Sequence, residues 1–352
     1  MKAILLAGGK GTRLRPLTIH TPKPIVPIFD RAFLHYQLDL LKQVPEIDEV
    51  VLSLNYQPRR IEEMFGDGSG TGLRIRYVVE PSPLGTGGAI KFAAQGIDDT
   101  LVVFNGDVMT SVDVNAVLAL HRERQARATI VLTPVENPSA YGLVETDEAG
   151  NVRRFLEKPK ADEITCDTIN AGIYILEPST FDRIPKDTVY SIERGYFPSL
   201  VENGETFVAY VERGYWIDIG TPEKYVQVHR DMFDGRFVGG AFIGANPTRP
   251  MVHPEARVED DATLVAPCFV DEGAHVRSGA TVGPYTVLGR GAVVEEAARV
   301  TNTIVWPNTR VGQNAEVDGA VLGRSCHLGR NVTLGPSAVL GDKTVLTDYT
   351  RL

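Results

Sequence analysis

Four short apolar runs punctuate the first third of the chain: Ala3–Leu6, Val50–Leu54, Ile75–Val79 and Leu101–Phe104. Each is ended by turn residues, which predicts buried strands. The stretches between them, Phe33–Gln43, Pro58–Phe65, Gly87–Ala94 and Val114–Arg124, carry helical spacing. In the first, Phe33, Leu34, Leu38 and Leu41 share one face, and Asp113 is placed to cap the last. Continuously apolar strands alternating with helices specify a parallel sheet covered on both faces. Such sheets bind ligands beyond the carboxyl ends of their strands. After this the pattern turns strand-rich, with Thr129–Thr133, Gly142–Glu145, Val152–Phe155 and Ala171–Ile175 set among Pro134, Pro138, Pro159 and Pro178. These segments read as substrate-facing insertions.

A different rhythm governs the last hundred or so residues. Aliphatic side chains recur every six positions at Val258, Leu264, Val270, Val276, Val282, Leu288, Val294 and Val300. The register slips by one and continues through Val305, Val311 and Val317. It slips again and ends with Leu322, Leu328, Leu334, Leu340 and Leu346. Two residues before each stands a small or nearly small one, from Ala256 and Ala262 to Ala338 and Thr344. A period of six suits neither a helix nor a simple strand. It suits a triangular parallel β-helix in which each hexad is one flat side, about five coils in all. The repeat resembles that of hexapeptide left-handed β-helices, an exception to right-handed crossover connections. Cys268 and Cys326 fall at the small positions and read as core. The organisation predicted is an α/β, Rossmann-like, mostly parallel sheet domain over residues 1–235, a Gly- and Pro-rich linker over 236–251, and a left-handed parallel β-helix over 252–352.

Composition narrows the function. The chain has 352 residues, 43% hydrophobic and 23% charged, the balance of a folded protein and not of a disordered or fibrous one. Its formal net charge of −9 disfavours a general nucleic-acid role, so an anionic ligand needs a local cluster of cations and backbone N–H groups. Cys166, Cys268 and Cys326 form an odd set without a CxxC pair. That argues for a reducing compartment and against a disulfide framework or zinc site. No apolar run is long enough to cross a membrane, and Ala3–Leu6 reads as a strand and not a signal segment. The expectation is a cytoplasmic protein.

Chemistry first appears in Leu6-Ala7-Gly8-Gly9-Lys10-Gly11-Thr12-Arg13-Leu14-Arg15-Pro16. Glycines after a first strand let backbone N–H groups approach a nucleotide closely. The spacing fits neither a Walker A loop nor a dinucleotide fingerprint, since Leu14 replaces the third glycine. Arg13 lies in this turn, and Lys23 follows in Thr21-Pro22-Lys23-Pro24, where two prolines stiffen its backbone. Two fixed cations beside a glycine cradle suit a triphosphate.

Together these two segments resemble the sugar-1-phosphate nucleotidylyltransferases, also called nucleotide-sugar pyrophosphorylases. The resemblance runs the length of the chain through Pro83-Leu84-Gly85-Thr86-Gly87-Gly88, Phe104-Asn105-Gly106-Asp107, Phe155-Leu156-Glu157-Lys158-Pro159, Asn170-Ala171-Gly172 and Trp216-Ile217-Asp218-Ile219-Gly220. The stretch from Val135 to Gly142, Ser191-Ile192-Glu193 and the β-helix look like the mannose-1-phosphate guanylyltransferase branch. The resemblance implies nucleotide contacts from Leu6, Ala7, Gly8, Gly9, Gly11, Thr12, Arg13, Gly85 and Thr86. It implies a sugar-phosphate contact from Lys158. Glu157 and Asn170 then fit sugar hydroxyls, Gly142 gives close backbone access, and Glu193 is a weaker carry-over. Nucleotidyl transfer sets two anions against each other, so cations matter more than a base. Arg13, Lys23, Lys158, Asp107 and Asp218 are the expected catalytic set. The two carboxylates are expected to hold Mg²⁺, a hard, oxygen-seeking ion; alone, Asp107 would pass for a cap or turn and Asp218 for a surface loop.

Glu80 stands where thymidylyl-transferring relatives commonly carry Gln. A carboxylate only accepts, whereas guanine offers two donors on one edge and thymine one donor between two acceptors. Glu80 therefore favours guanine if it faces the base; otherwise it is a solvated strand-end residue. The expected reaction joins GTP and mannose-1-phosphate into GDP-mannose and pyrophosphate, in a homo-oligomer assembled through the β-helix. Heptose-1-phosphate with GTP and glucose-1-phosphate with dTTP or UTP are rival pairs. A catalytically dead, sugar-nucleotide-sensing subunit is disfavoured by the complete set of charged residues. Acyl transfer by the β-helix is disfavoured because, although His253, His275 and His327 are present, no long loop interrupts the repeats. His20, His35 and His121 show no partner pattern and read as solvated or capping.

Overall fold

The computed structural model describes residues 1–240 and 248–352; part of the predicted linker, 241–247, lies outside the described residues. By contact the described chain forms two compact units. One comprises Met1–Gly9 with Gln37–Ile217, the other Lys10–Tyr36 with Asp218–Leu352. This division cuts across the chain-order boundary expected near residue 235, because a short N-terminal segment groups with the C-terminal half.

The first unit is built on a nine-stranded sheet. Its main path runs Val152–Glu157, Gly142–Thr146, Thr168–Leu176, Leu101–Asn105, Lys2–Leu6, Glu49–Leu54 and Arg74–Val79. The last four strands pair in parallel, with Lys2–Leu6 between Leu101–Asn105 and Glu49–Leu54. Ile4, Val51 and Val103 on these strands are wholly buried, which is why the strands read as unbroken apolar runs. Thr168–Leu176 enters antiparallel and starts the strand-rich part. All four predicted helices form, at Phe33–Lys42, Pro58–Phe65, Gly85–Ala93 and Val114–Glu123. Asp113 caps the last by accepting from Asn115 N at 2.9 Å and Ala116 N at 3.2 Å.

Three features depart from the sequence reading or escape it. The strand Phe207–Val211 joins the sheet by pairing parallel with Ala128–Pro134. A π-turn at Ile192–Tyr196 runs directly into a short helix, Phe197–Glu202. His121 is neither solvated nor a cap. It is buried, with Nδ1 2.9 Å from Thr129 Oγ1 and Nε2 3.1 Å from Glu177 Oε1, and burial lowers its pKa.

The second unit contains the β-helix as three parallel sheets of six, six and five short strands. The predicted aliphatic positions stack directly: Val276 on Val294 on Val311 along one face, and Val270 on Leu288 on Val305 along another. The small residues fill the interior beside them, with Ala274, Ala292, Ala315 and Cys326 at most 1% exposed. This is the arrangement expected of the hexapeptide left-handed β-helix. Asn308, Asn314 and Asn331 take positive φ at its corners, where their short polar side chains tolerate the left-handed region. Cys268 is core as expected, and burial pushes its thiol up to about 12. The same unit holds two tight turns, Thr12–Leu14 and Lys23–Ile25, and the helix Pro222–Phe233, capped by Thr221.

Candidate active site

In the first unit the expected residues gather at the carboxyl ends of the parallel strands. Ala7 N donates to Ser53 O at 2.9 Å and Gly106 N to Leu6 O at 3.0 Å, so the chain leaves neighbouring strands along a common edge. Gly106 is obligatory there, since a Cβ would lie 2.4 Å from Leu6 O. That contact fixes where Asp107 begins. Gly8 is similarly close-packed, a Cβ falling 3.1 Å from Asn55 N and 3.3 Å from Glu80 Oε1, while Gly9 faces open space.

Glu80 is 8% exposed, so it is not a solvated strand-end carboxylate. Its Oε1 accepts from Ser53 Oγ at 3.1 Å and its Oε2 from Leu84 N at 3.0 Å. Two donors orient the carboxylate beside Gly8 and leave it acceptor capacity, since an ionised carboxylate offers roughly four lone-pair sites.

Gly85 and Thr86 open the helix that follows. Gly85 has φ +70°, and a Cβ on it would meet Tyr190 O at 2.8 Å. The Thr86 hydroxyl donates to Glu193 Oε2 at 2.7 Å and accepts from Ile192 N at 2.9 Å. Thr86, expected at the nucleotide, and Glu193, expected at the sugar phosphate, are thus direct partners. Ser191 Oγ also donates to Glu193, at 2.6 Å, and the π-turn presents that carboxylate inward. Such turns recur at functional sites.

Most of the expected sugar-side residues converge. Gly142 pairs with Glu157 across two antiparallel strands, and a Cβ on Gly142 would sit 3.1 Å from Glu157 Oε2 and 2.7 Å from the Phe155 ring. Burial raises the Glu157 pKa and repulsion from Glu193 adds to it, against Lys158 and Arg194. Lys158 takes φ +53° and donates its N–H to Tyr141 O at 3.0 Å; its side chain is exposed. A bulky residue held at positive φ is uncommon and points to local constraint. Asn170 donates to Tyr174 Oη at 2.9 Å and accepts from Gly172 N at 2.9 Å. Sequence reasoning passed over Tyr174, which is fully buried and whose pKa is raised by burial and then by Glu193. It also passed over Asn105, whose Oδ1 is buried and has no hydrogen-bond partner among the described residues.

The second unit holds Gly11, Thr12, Arg13, Lys23 and Asp218. Gly11 takes φ +59°, and a Cβ there would lie 3.3 Å from Lys23 Cβ. Thr18 Oγ1 donates to Gly11 O at 2.7 Å and closes the turn. Lys23 is 8% exposed, held in the turn that Pro22 and Pro24 stiffen. Gly220 lies against both Arg13 and Asp218: a Cβ on it would come within 2.9 Å of Arg13 Nη2 and 2.8 Å of Asp218 Oδ2. The Asp218 carboxylate, 11% exposed, is gripped by Lys224 Nζ. Lys224 is a functional candidate that sequence reasoning missed. Its signal was the Thr221-Pro222 helix start, which carries Lys224 back over Asp218 within one turn.

Asp107 belongs to the first unit and Asp218 to the second. Both offer hard carboxylate oxygens. Among the described residues no group of three or more His, Cys, Asp or Glu could hold a metal. Each carboxylate by itself offers the oxygen donors that Mg²⁺ prefers and not the nitrogen or sulfur ligands of a transition-metal site.

Comparison with known proteins agrees with this picture. Residues 2–235 match the nucleotidyl transferase family model, and residues 264–352 match that of the GMPPB C-terminal domain. A mannose-1-phosphate guanylyltransferase of Mycobacterium tuberculosis is 41% identical over 300 residues, covering 85% of this chain and 80% of the relative. A UTP–glucose-1-phosphate uridylyltransferase of Synechocystis is 33% identical over 344 residues, covering 93% and 88%. Among solved structures, HddC of Yersinia pseudotuberculosis complexed with GMP-PN superposes with a TM-score of 0.55 at 30% identity, covering 64% of this chain and 97% of that one.

Proposed function

The chain belongs to the nucleotidyl transferase family, and from that premise we propose that it transfers a guanylyl group from GTP to mannose-1-phosphate. The products are GDP-mannose and pyrophosphate. The observation that carries the choice of base is Glu80, a buried carboxylate oriented beside Gly8 with acceptor capacity to spare. Guanine's N1–H and exocyclic amine are two donors that match it, whereas the thymine and uracil edge presents acceptors to a group that only accepts. The Mycobacterium tuberculosis relative, named for this activity, supports the same reading.

In this reading a mannose-1-phosphate oxygen attacks the α-phosphorus in line and pyrophosphate leaves. Arg13 and Lys23 offset the charge of the triphosphate, and Lys158 that of the sugar phosphate. Glu157, Asn170 and Glu193 orient the sugar, and Gly142 leaves the space that the Phe155 ring and the Glu157 carboxylate occupy beside it. Asp107 and Asp218 would hold Mg²⁺, which would supply neutralisation of the phosphate charge. Lys224 fixes the Asp218 carboxylate. The β-helix is the proposed assembly surface of a homo-oligomer working in the cytoplasm.

A matrix of GTP, ATP, UTP and dTTP against mannose-, glucose- and heptose-1-phosphate, scored by pyrophosphate release with Mg²⁺, tests the assignment. Preference for GTP with mannose-1-phosphate is the expected result. Preference for UTP or dTTP with glucose-1-phosphate would replace both partners of the proposed pair.

A further inference from the structure

Among the described residues, the β-helix coils do more than stack on themselves. They grip the short N-terminal segment that carries Arg13 and Lys23, from both sides of Lys23. On one side, Thr21, 1% exposed, donates its hydroxyl to Asp342 Oδ2 at 2.9 Å. Asp342 is itself fixed, its Oδ1 accepting from Arg324 N at 2.9 Å at a coil corner. The adjoining corner touches the same segment, since a Cβ on Gly341 would lie 3.2 Å from Pro16 Cβ. On the other side, Tyr225 donates its hydroxyl to Pro27 O and accepts from Trp306 Nε1 at 2.8 Å. Trp306 lies on the β-helix, 1% exposed, with Arg324 over its ring at 5.7 Å. Beyond Pro27, Phe29 packs edge-on against Phe269 at 5.4 Å and Phe233 at 5.0 Å. Arg324 therefore takes part in both anchors, through its backbone at Asp342 and its side chain at Trp306.

We infer that Asp342 and Trp306 are positioning residues for nucleotidyl transfer, holding the Arg13–Lys23 segment at the geometry the triphosphate needs. The segment seats Leu14, Leu17, Ile25, Val26 and Ile28, each at most 5% exposed, and the polar bonds on either side of Lys23 fix the register in which its turns are held. Two polar anchors flank a lysine proposed to offset the charge of the triphosphate, a charge that redistributes as pyrophosphate leaves. Small displacements of such groups lower turnover out of proportion to any loss of fold. The β-helix is then part of the catalytic apparatus without touching substrate, and removing it abolishes efficient transfer even where the sheet unit survives. This inference rests on the reading of Arg13 and Lys23 given above.

The test compares Thr21→Val, which keeps shape and removes the hydroxyl, Asp342→Ala, their double variant, and Thr21→Ser as the conservative rescue. Leu346→Ala serves as a control that loosens the same end of the β-helix core away from the clamp. Two readouts are taken on the full chain. Amide hydrogen exchange over residues 10–36 should quicken in Thr21→Val and Asp342→Ala and stay unchanged in Leu346→Ala. The kcat for pyrophosphate release should fall about ten- to a hundredfold in the same two variants, with little change in nucleotide KM. The double variant should match the worse single one, because both remove one contact, and Thr21→Ser should restore the wild-type rate. Unchanged exchange over 10–36 in Asp342→Ala overturns the inference whatever the activity. So does a loss of kcat no greater than that of Leu346→Ala. Wild-type protein that releases no pyrophosphate with any substrate pair instead overturns the functional reading, a separate outcome.

Discussion

Replacing Glu80 with Gln tests the base assignment at a single group whose surroundings are known. Leu84 N, which can only donate, faces Oε2 at 3.0 Å, and Ser53 Oγ faces Oε1 at 3.1 Å. A glutamine must therefore turn its carbonyl to Leu84, because the opposite flip sets N–H against N–H. Its NH₂ then faces Ser53, whose hydroxyl can rotate to accept. Oε1 is the oxygen beside Gly8, 3.3 Å from where a Cβ on that glycine would be. The substitution thus keeps the local fold and puts a donor on the side nearest the glycine cradle, where guanine would bring donors of its own. A buried donor left unmatched costs about 1–3 kcal/mol, or about one to two decades in kcat/KM for GTP. Uracil and thymine, with acceptors flanking their N–H, should lose less or gain. The assay is the ratio of kcat/KM for GTP over UTP and dTTP in both proteins, with thermal melts to confirm an equal fold. A ratio that Glu80→Gln leaves unchanged would refute the reasoning, because Glu80 would then not read the base.

Where the sequence was legible, one periodicity carried one burial pattern. The parallel strands are buried on both faces, so Ala3–Leu6 and Leu101–Phe104 showed as apolar runs within a residue of their ends. The hexads were legible because Val276, Val294 and Val311 must each fill the same side of successive coils. Even the register slips are accommodated, since Val300 still stacks on Val317. Contacts that link distant positions left no period to read. His121 looked partnerless because Glu177 lies far along the chain, and the Thr21–Asp342 bond joins residues 321 apart. The helix Pro222–Phe233 had a cap and a proline start but a mostly polar sequence, so Lys224 was missed with it. The site residues were visible as types at motif spacing. Their partners, such as Thr86 on Glu193, required the fold.

Three further perturbations follow. Asp107→Asn and Asp218→Asn should each lower kcat by several orders of magnitude under limiting Mg²⁺ without unfolding the chain, since charge neutralisation is the main catalytic contribution; near-normal turnover of either would remove it from the metal proposal. Lys224→Met should lower kcat about tenfold by releasing the Asp218 carboxylate, and a Mg²⁺ titration unchanged from wild type would count against that role. His229 governs the third. Its ring is 2% exposed, its Nδ1 lies 2.8 Å from Tyr225 O, and it packs against Phe29 and Tyr225. Burial lowers its pKa to about 4, against about 6.5 in the unfolded chain. The unfolded state therefore binds the proton first as pH falls. Stability is complete above about pH 6.5 and declines toward pH 4, by roughly 3 kcal/mol when the imidazole must charge. His121 has a pKa lowered by burial as well and acts in the same direction. Urea midpoints measured from pH 7.5 to 4.5 should fall steadily in wild type and less steeply in His229→Gln. The variant should be the weaker of the two near neutrality and converge on wild type as the medium is acidified. Parallel curves would mean that His229 does not carry the linkage and that the acid sensitivity resides in His121 and the carboxylates.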